Sequence, residues 1–392
     1  MHSKKTWAQI LVLTLAAAAA YAIASRSSYV RDNLSRRDSI AYWAAGKLLI
    51  HRDNPYDAAR VLELERGQDY SETKPLVLRT PPWSLFLVLP LGIMSALVAW
   101  LFWVATSLAG LIIAIRLSWR MYGFEAHAPA IFLVVSYLFA PVPACLVAGQ
   151  MGLLLLLGIV LFLKWGPVYP FLAGVVLILP FAKPHLLTLF WVVLLLWVVR
   201  EKKWLFATGF LLALTMTTGI ALVFDPAAFQ HYHALLREAA IGHEFIPAFS
   251  GVIRLIFFRR LFWIQFAPMM LAVTWSCRFY WKHRVTWDWR EHGPSLLVVS
   301  VLTTPYAWLT DEAVLLPAIL QAAVWVYTRR HQLSFPSKFA VSVFAALNLL
   351  LLLILNAKVP FSTGIYFWSS LVWFGWYFYA GRVRRRTREQ SV

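Results

Sequence analysis

Asp38, Lys183 and the neighbours Asp311 and Glu312 place charged side chains at the edges of apolar runs, where chemistry on a membrane-borne substrate would need them. Asp38 follows Arg36 and Arg37 just after the first apolar stretch. A carboxylate there could take a proton from a sugar hydroxyl as general base, given hydrogen-bond reach and a tuned pKa. Lys183 and His185, in LPFAKPHLL, fall between two apolar runs, and a cation in such a place has a phosphate as its obvious partner. Arg79 precedes Pro81 and Pro82 and could meet a lipid phosphate. Gln150, in AGQMG, could hydrogen-bond a sugar. Asp311 and Glu312 could hold an acceptor hydroxyl or a divalent cation, although two neighbouring acids alone do not surround a metal.

Each of these residues also has a structural reading. Ser35-x-x-Asp38 fits a capping box, and an acid in a first helical turn suits the helix dipole. Arg79 and Lys183 could snorkel toward water. Gln150 could cap a helix, and Asp311 and Glu312 could cap one together with Thr310.

The elements that must carry these residues are membrane helices. The chain is 60% hydrophobic and only 14% charged, far from the roughly 25% charge of soluble domains. At about 20 apolar residues per crossing, spans are expected near 7–25, 83–116, 128–145, 148–164, 167–182, 185–199, 204–223, 260–277, 294–309, 312–328, 338–356 and 362–381. This makes an all-α polytopic membrane protein of about twelve spans in one domain. The uncharged run 83–115 is too long for one upright crossing. It could be one tilted helix or a hairpin broken around Pro90 and Gly92.

Basic groups at 200–203, 278–284, 329–331 and 382–388 should share the cytoplasmic side, with both termini. The extracytoplasmic side then holds loops 26–80 and 224–258, the first with eight of the chain's 18 acids. Within that first loop, Asp38 begins a helical face shared by Tyr42, Ala45 and Leu49 and ended by Asn54–Pro55. This helix is expected to lie in the membrane interface with its aromatic side toward lipid. The alanine-rich start resembles a signal peptide, but its span length makes it an uncleaved first helix.

The net charge of +18 is spread around apolar runs and not gathered into a groove, which argues against nucleic acid; the basic tail suits contact with membrane lipid. Cys145 and Cys277 form neither a CxxC nor a zinc spacing. No phosphate-binding loop, dinucleotide fingerprint or serine-hydrolase elbow is present.

The order of short motifs resembles glycosyltransferase family 87 (the DUF2029 family). The residues are Asp38, Tyr42, Ala44–Ala45–Gly46, Asn54–Pro55–Tyr56–Asp57, Pro81–Pro82, Gly149–Gln150, Lys183–Pro184 and Thr304–Pro305–Tyr306–Ala307–Trp308. Ser39 stands where many relatives carry an aromatic. The resemblance implies a GT-C-type membrane fold and an inverting transfer of mannose from a polyprenyl-phosphate donor to an extracytoplasmic glycolipid or glycan acceptor, with no cofactor. Asp38 would be the base; Lys183, Arg79 and His185 would hold the donor phosphate; Tyr42, Gln150, Asp311 and Glu312 would line the sugar and acceptor. The competing readings are a transporter or lipid flippase, and a non-catalytic scaffold for envelope assembly.

Overall fold

The computed structural model describes residues 37–123, 129–238 and 246–389. The described residues form helices and short 3-10 segments, with no strand among them. Those of 1–106 and 217–239 make one compact unit, and those of 107–216 and 240–392 a second.

Along the chain the helices are α1 (Asp38–Ile50), α2 (Ala58–Arg66), α3 (Leu89–Gly92), α4 (Ala96–Tyr122), α5 (Ala130–Leu138), α6 (Pro141–Ala148), α7 (Gly152–Trp165) and α8 (Pro170–Val176). There follow α9 (Thr188–Arg200), α10 (Trp204–Phe224), α11 (Ala228–Glu238), α12 (Phe249–Phe257), α13 (Ala267–His283), α14 (Trp289–Thr303), α15 (Leu316–Tyr327), α16 (Phe335–Asn356) and α17 (Ser369–Glu389).

Among the described residues three helices, α4, α10 and α16, are long and apolar enough to cross a membrane unbroken. The count rises to five if the bent pairs α5–α6 and Pro170–Ala182 with Pro184–Arg200 are each one span. The first expected span lies outside the described residues. Of the 22 residues in α16, only Leu351 is buried, and Leu349 and Leu353 are 55% and 57% exposed. A surface so apolar is stable against lipid and not against water. The long run at 83–116 is neither one tilted helix nor a hairpin of two spans: a 3-10 turn over Pro82–Leu87 and the single turn α3, with Pro90 and Gly92, precede the one long helix α4.

In the second unit, α5 and α6 meet at 47°. The bend frees backbone groups that lipid cannot satisfy, and Asn348 of α16 supplies both partners. Its Oδ1 accepts from the Ala140 N–H at 2.9 Å and its Nδ2 donates to the Leu138 carbonyl at 2.7 Å.

The two spans expected at 167–182 and 185–199 meet as a V, bent by 114° with Lys183 at its apex. Pro170 and Arg200, the outer ends of the two arms, line one cavity, so the chain enters and leaves at the same end. The two arms have 13 and 17 residues and rise about 20 and 25 Å, each short of a hydrocarbon core of about 30 Å.

Candidate functional site

In the second unit, α7, α9 and α14 run between two ends. At one end Gln150 precedes α7, Lys183 and His185 precede α9, and Thr304 follows α14. Gly149 ends α6 in the left-handed region at φ 69°, which turns the chain and starts Gln150 on its way toward Lys183. Lys183 Nζ donates to Asp311 Oδ1 at 2.6 Å and to Gln150 Oε1 at 3.2 Å. The Lys183 and Asp311 side chains are 13% and 4% exposed, which makes theirs a buried ion pair.

The segment Thr304–Trp308 frames this pair. The Thr304 hydroxyl donates to the His185 carbonyl, and Gln265 Nε2 donates to the Pro305 carbonyl. The Trp308 N–H donates to the second Asp311 oxygen at 3.1 Å, and the Tyr306 ring meets His185 edge-on. Glu312 turns elsewhere, accepting from the Ser369 hydroxyl and the Trp373 indole N–H, each at 2.7 Å. Although adjacent in sequence, the two acids point to different partners, so they do not converge on one ligand. Among the described residues no group of three or more His, Cys, Asp or Glu could hold a metal ion.

In the first unit, Asp38 is the first residue of α1, with Arg37 as its N-cap. Ser35, the other half of the expected capping box, lies outside the described residues; the acid in the first turn is favourable to the helix dipole. The aromatic side of α1 does not face lipid as expected. Ten of its 13 residues are buried, among them Tyr42 and Trp43. Tyr42 meets Trp103 edge-on at 4.9 Å, and the Trp43 indole donates to the Met94 carbonyl. Gly46 lies against α3, where an added Cβ would come 2.2 Å from the Val88 carbonyl oxygen; at Gly92 it would come 2.1 Å from that of Gly46. The backbones therefore touch, which only glycine permits.

The other first-loop motifs build the scaffold around Asp38. Asn54 Oδ1 accepts from the Tyr56 N–H, the Tyr56 hydroxyl donates to the Thr80 carbonyl at 3.0 Å, and Asp57 caps α2 through the Ala59 and Arg60 N–H groups. Arg79 is exposed beside the buried Thr80.

Glu65 is the residue that sequence reasoning passed over. It is fully buried, and its carboxyl accepts from the Leu76 N–H at 3.1 Å. Burial, reinforced by the negative charge of Asp38, pushes its pKa up to about 7 against the pull of the Leu76 N–H. In sequence it is one of eight acids in a polar loop, and only its apolar neighbours Val61 and Leu64 hinted that this face of α2 would be buried.

The profile of glycosyltransferase family 87 matches residues 80–353, more than two thirds of the chain. The chain belongs to glycosyltransferase family 87. Membership makes it a membrane glycosyltransferase, with a sugar donor and an acceptor. The matched residues include Gln150, Lys183, His185, Asp311 and Glu312, whereas Asp38 and Tyr42 precede them. No curated protein and no solved structure matches this glycosyltransferase.

Proposed function

We propose that this glycosyltransferase moves mannose from a polyprenyl-phosphate donor to a glycolipid or glycan acceptor on the extracytoplasmic side of the cytoplasmic membrane, with inversion. The observation that carries the reading is Lys183, a cation at the apex of the V, held by Asp311 and Gln150 within the family-matched residues. An ammonium has three donors. Two are engaged by these partners, and the third can meet a phosphate oxygen.

In the transfer, Asp38 takes the acceptor hydroxyl proton as the oxygen attacks the anomeric carbon from the face opposite the phosphate. The new carbon–oxygen bond forms as the bond to the phosphate oxygen breaks, and the electron pair leaves on the phosphate. Lys183 neutralises that charge as it develops, and Asp311 keeps the ammonium aimed. Arg79 and His185 assist on the phosphate, while Gln150 shapes the sugar position; Glu312, held by Ser369 and Trp373, and Tyr42, buried against Trp103, support the surrounding structure instead of the sugar.

Transfer of label from polyprenyl-phosphate mannose into membrane lipids tests this. Wild type incorporates label, and Asp38→Asn at equal expression loses it by at least about 100-fold, as expected for a general base. Equal incorporation by both would remove Asp38 from that role. No incorporation by wild type, with other lipid-phosphate sugars accepted, would discard mannose and leave the transferase.

A further inference from the structure

The opposite end of α7, α9 and α14 holds a second feature that the transfer does not use. It is a cavity of about 680 Å³ between the end of α7, the end of α9 and the segment 284–290. The 13 residues of α9 separate it from the Lys183 cluster by about 20 Å. Four cations line it, Arg200, Lys203, Arg284 and Arg290, against two acids, Glu201 and Asp288.

Their partners show which charges are left for a ligand. Arg290 donates to the Leu163 and Lys164 carbonyls, each at 3.1 Å, and so closes the end of α7. Asp288 accepts from the Arg290 backbone N–H as the cap of α14. Glu201 lies 3.9 Å from the Arg200 Nε, beyond hydrogen-bond length. Arg284 stacks on Trp281 at 4.6 Å with one N–H on the Trp281 carbonyl, and Lys203 sits 5.8 Å over the Trp197 ring. Arg200, Lys203 and Arg284 thus keep donors that no carboxylate among the described residues accepts within hydrogen-bond distance.

A second observation is independent of charge. Trp197, Trp287 and Trp289 line the cavity and give it an aromatic wall; Trp289 is 8% exposed. Three cations beside this wall, at the membrane's edge, match an anion with several oxygens. The volume exceeds what a bare phosphate fills and is of the size that holds a headgroup.

We propose that this cavity binds a phosphate group, carried by an anionic phospholipid of the leaflet that the basic loops face. The phosphate oxygens accept from Lys203 and Arg284, and the glycerol lies along Trp197 and Trp287.

The test is native mass spectrometry of the full chain in detergent, titrated with phosphatidylglycerol and with phosphatidylcholine, beside calorimetry with inorganic phosphate in the same micelles. The proposal expects phosphatidylglycerol to be retained where phosphatidylcholine is stripped. It expects the Lys203→Gln, Arg284→Gln double variant to weaken retention about tenfold, and each single variant to weaken it severalfold. All variants are checked for unchanged melting temperature; if the double variant does not fold, the single variants decide. Saturable heat with inorganic phosphate that displaces no lipid adduct, and that the variants abolish, would keep the phosphate site and reassign its source to soluble phosphate. Equal retention of the two lipids without phosphate heat, or wild-type retention by the variants, overturns it.

Discussion

Lys183 and Asp311 share a hydrogen bond where little water reaches, so removing one partner leaves the other as a buried unpaired charge. Such breakage costs about 3–5 kcal/mol, whereas removing both costs much less. Lys183→Met is therefore expected to lower the melting temperature sharply and to abolish transfer. Lys183→Met with Asp311→Leu should recover most of the stability and none of the activity. A thermal shift assay beside the label transfer separates the two effects, and parallel recovery of both would deny Lys183 a chemical role. Glu65 gives a pH dependence with a definite sign. Its pKa is raised to about 7 in the folded protein, so between the ordinary carboxylate range and pH 7 the folded state holds a proton that the unfolded state has lost. Its contribution to stability is full below that range and falls as pH rises toward 7. Glu65→Gln should flatten this slope in melting curves between pH 4.5 and 7, and an unchanged slope would show that Glu65 titrates normally.

At the scale of elements, the first loop works because α1 can touch α3 backbone to backbone. Gly46→Ala forces a methyl to 2.2 Å from the Val88 carbonyl oxygen, so the two helices must part. The expected loss is about 1–3 kcal/mol or more, seen as reduced yield and melting temperature. Gly110→Ala, whose methyl would meet side chains at an ordinary 3.6 Å, is the control and should cost nothing. The bend between α5 and α6 depends on one side chain. Asn348→Leu strips the Ala140 N–H and the Leu138 carbonyl of their partners, at about 1–3 kcal/mol for each group. Asn348→Gln, which keeps the amide, should lose less. Equal loss in both would assign the effect to packing.

Across the whole molecule, the charge pattern is testable as topology. Arg384 of the basic tail pairs with Glu291 and lies over Trp325, while Arg200 lies over Trp281, so the four basic groups read from sequence gather at one end of the second unit. The Lys183 cluster stands at the other end. With Cys145 and Cys277 replaced by serine, cysteines at the exposed Lys282 and His331 should label only from the cytoplasmic face, and one at the exposed Glu72 only from outside. Labelling of all three from one face would reject the proposed orientation.

The sequence by itself determined the membrane class, the helical content and the family, because these depend on composition and motif order. It also singled out Gln150, Lys183 and Asp311, as polar residues at the edges of apolar runs. What it left open was which partner each would meet. That Lys183 joins Asp311, 128 residues away, while Glu312 turns to Ser369 and Trp373, depends on how helices distant in sequence pack. The burial of α1 was likewise missed: the helix is apolar all round, and only the packing, with its Gly46–Gly92 contact, decides that protein and not lipid covers it. Two apolar runs of span length became a V at Lys183 for a related reason: hydropathy measures how many residues prefer lipid, and not the direction in which the chain leaves a proline-flanked break.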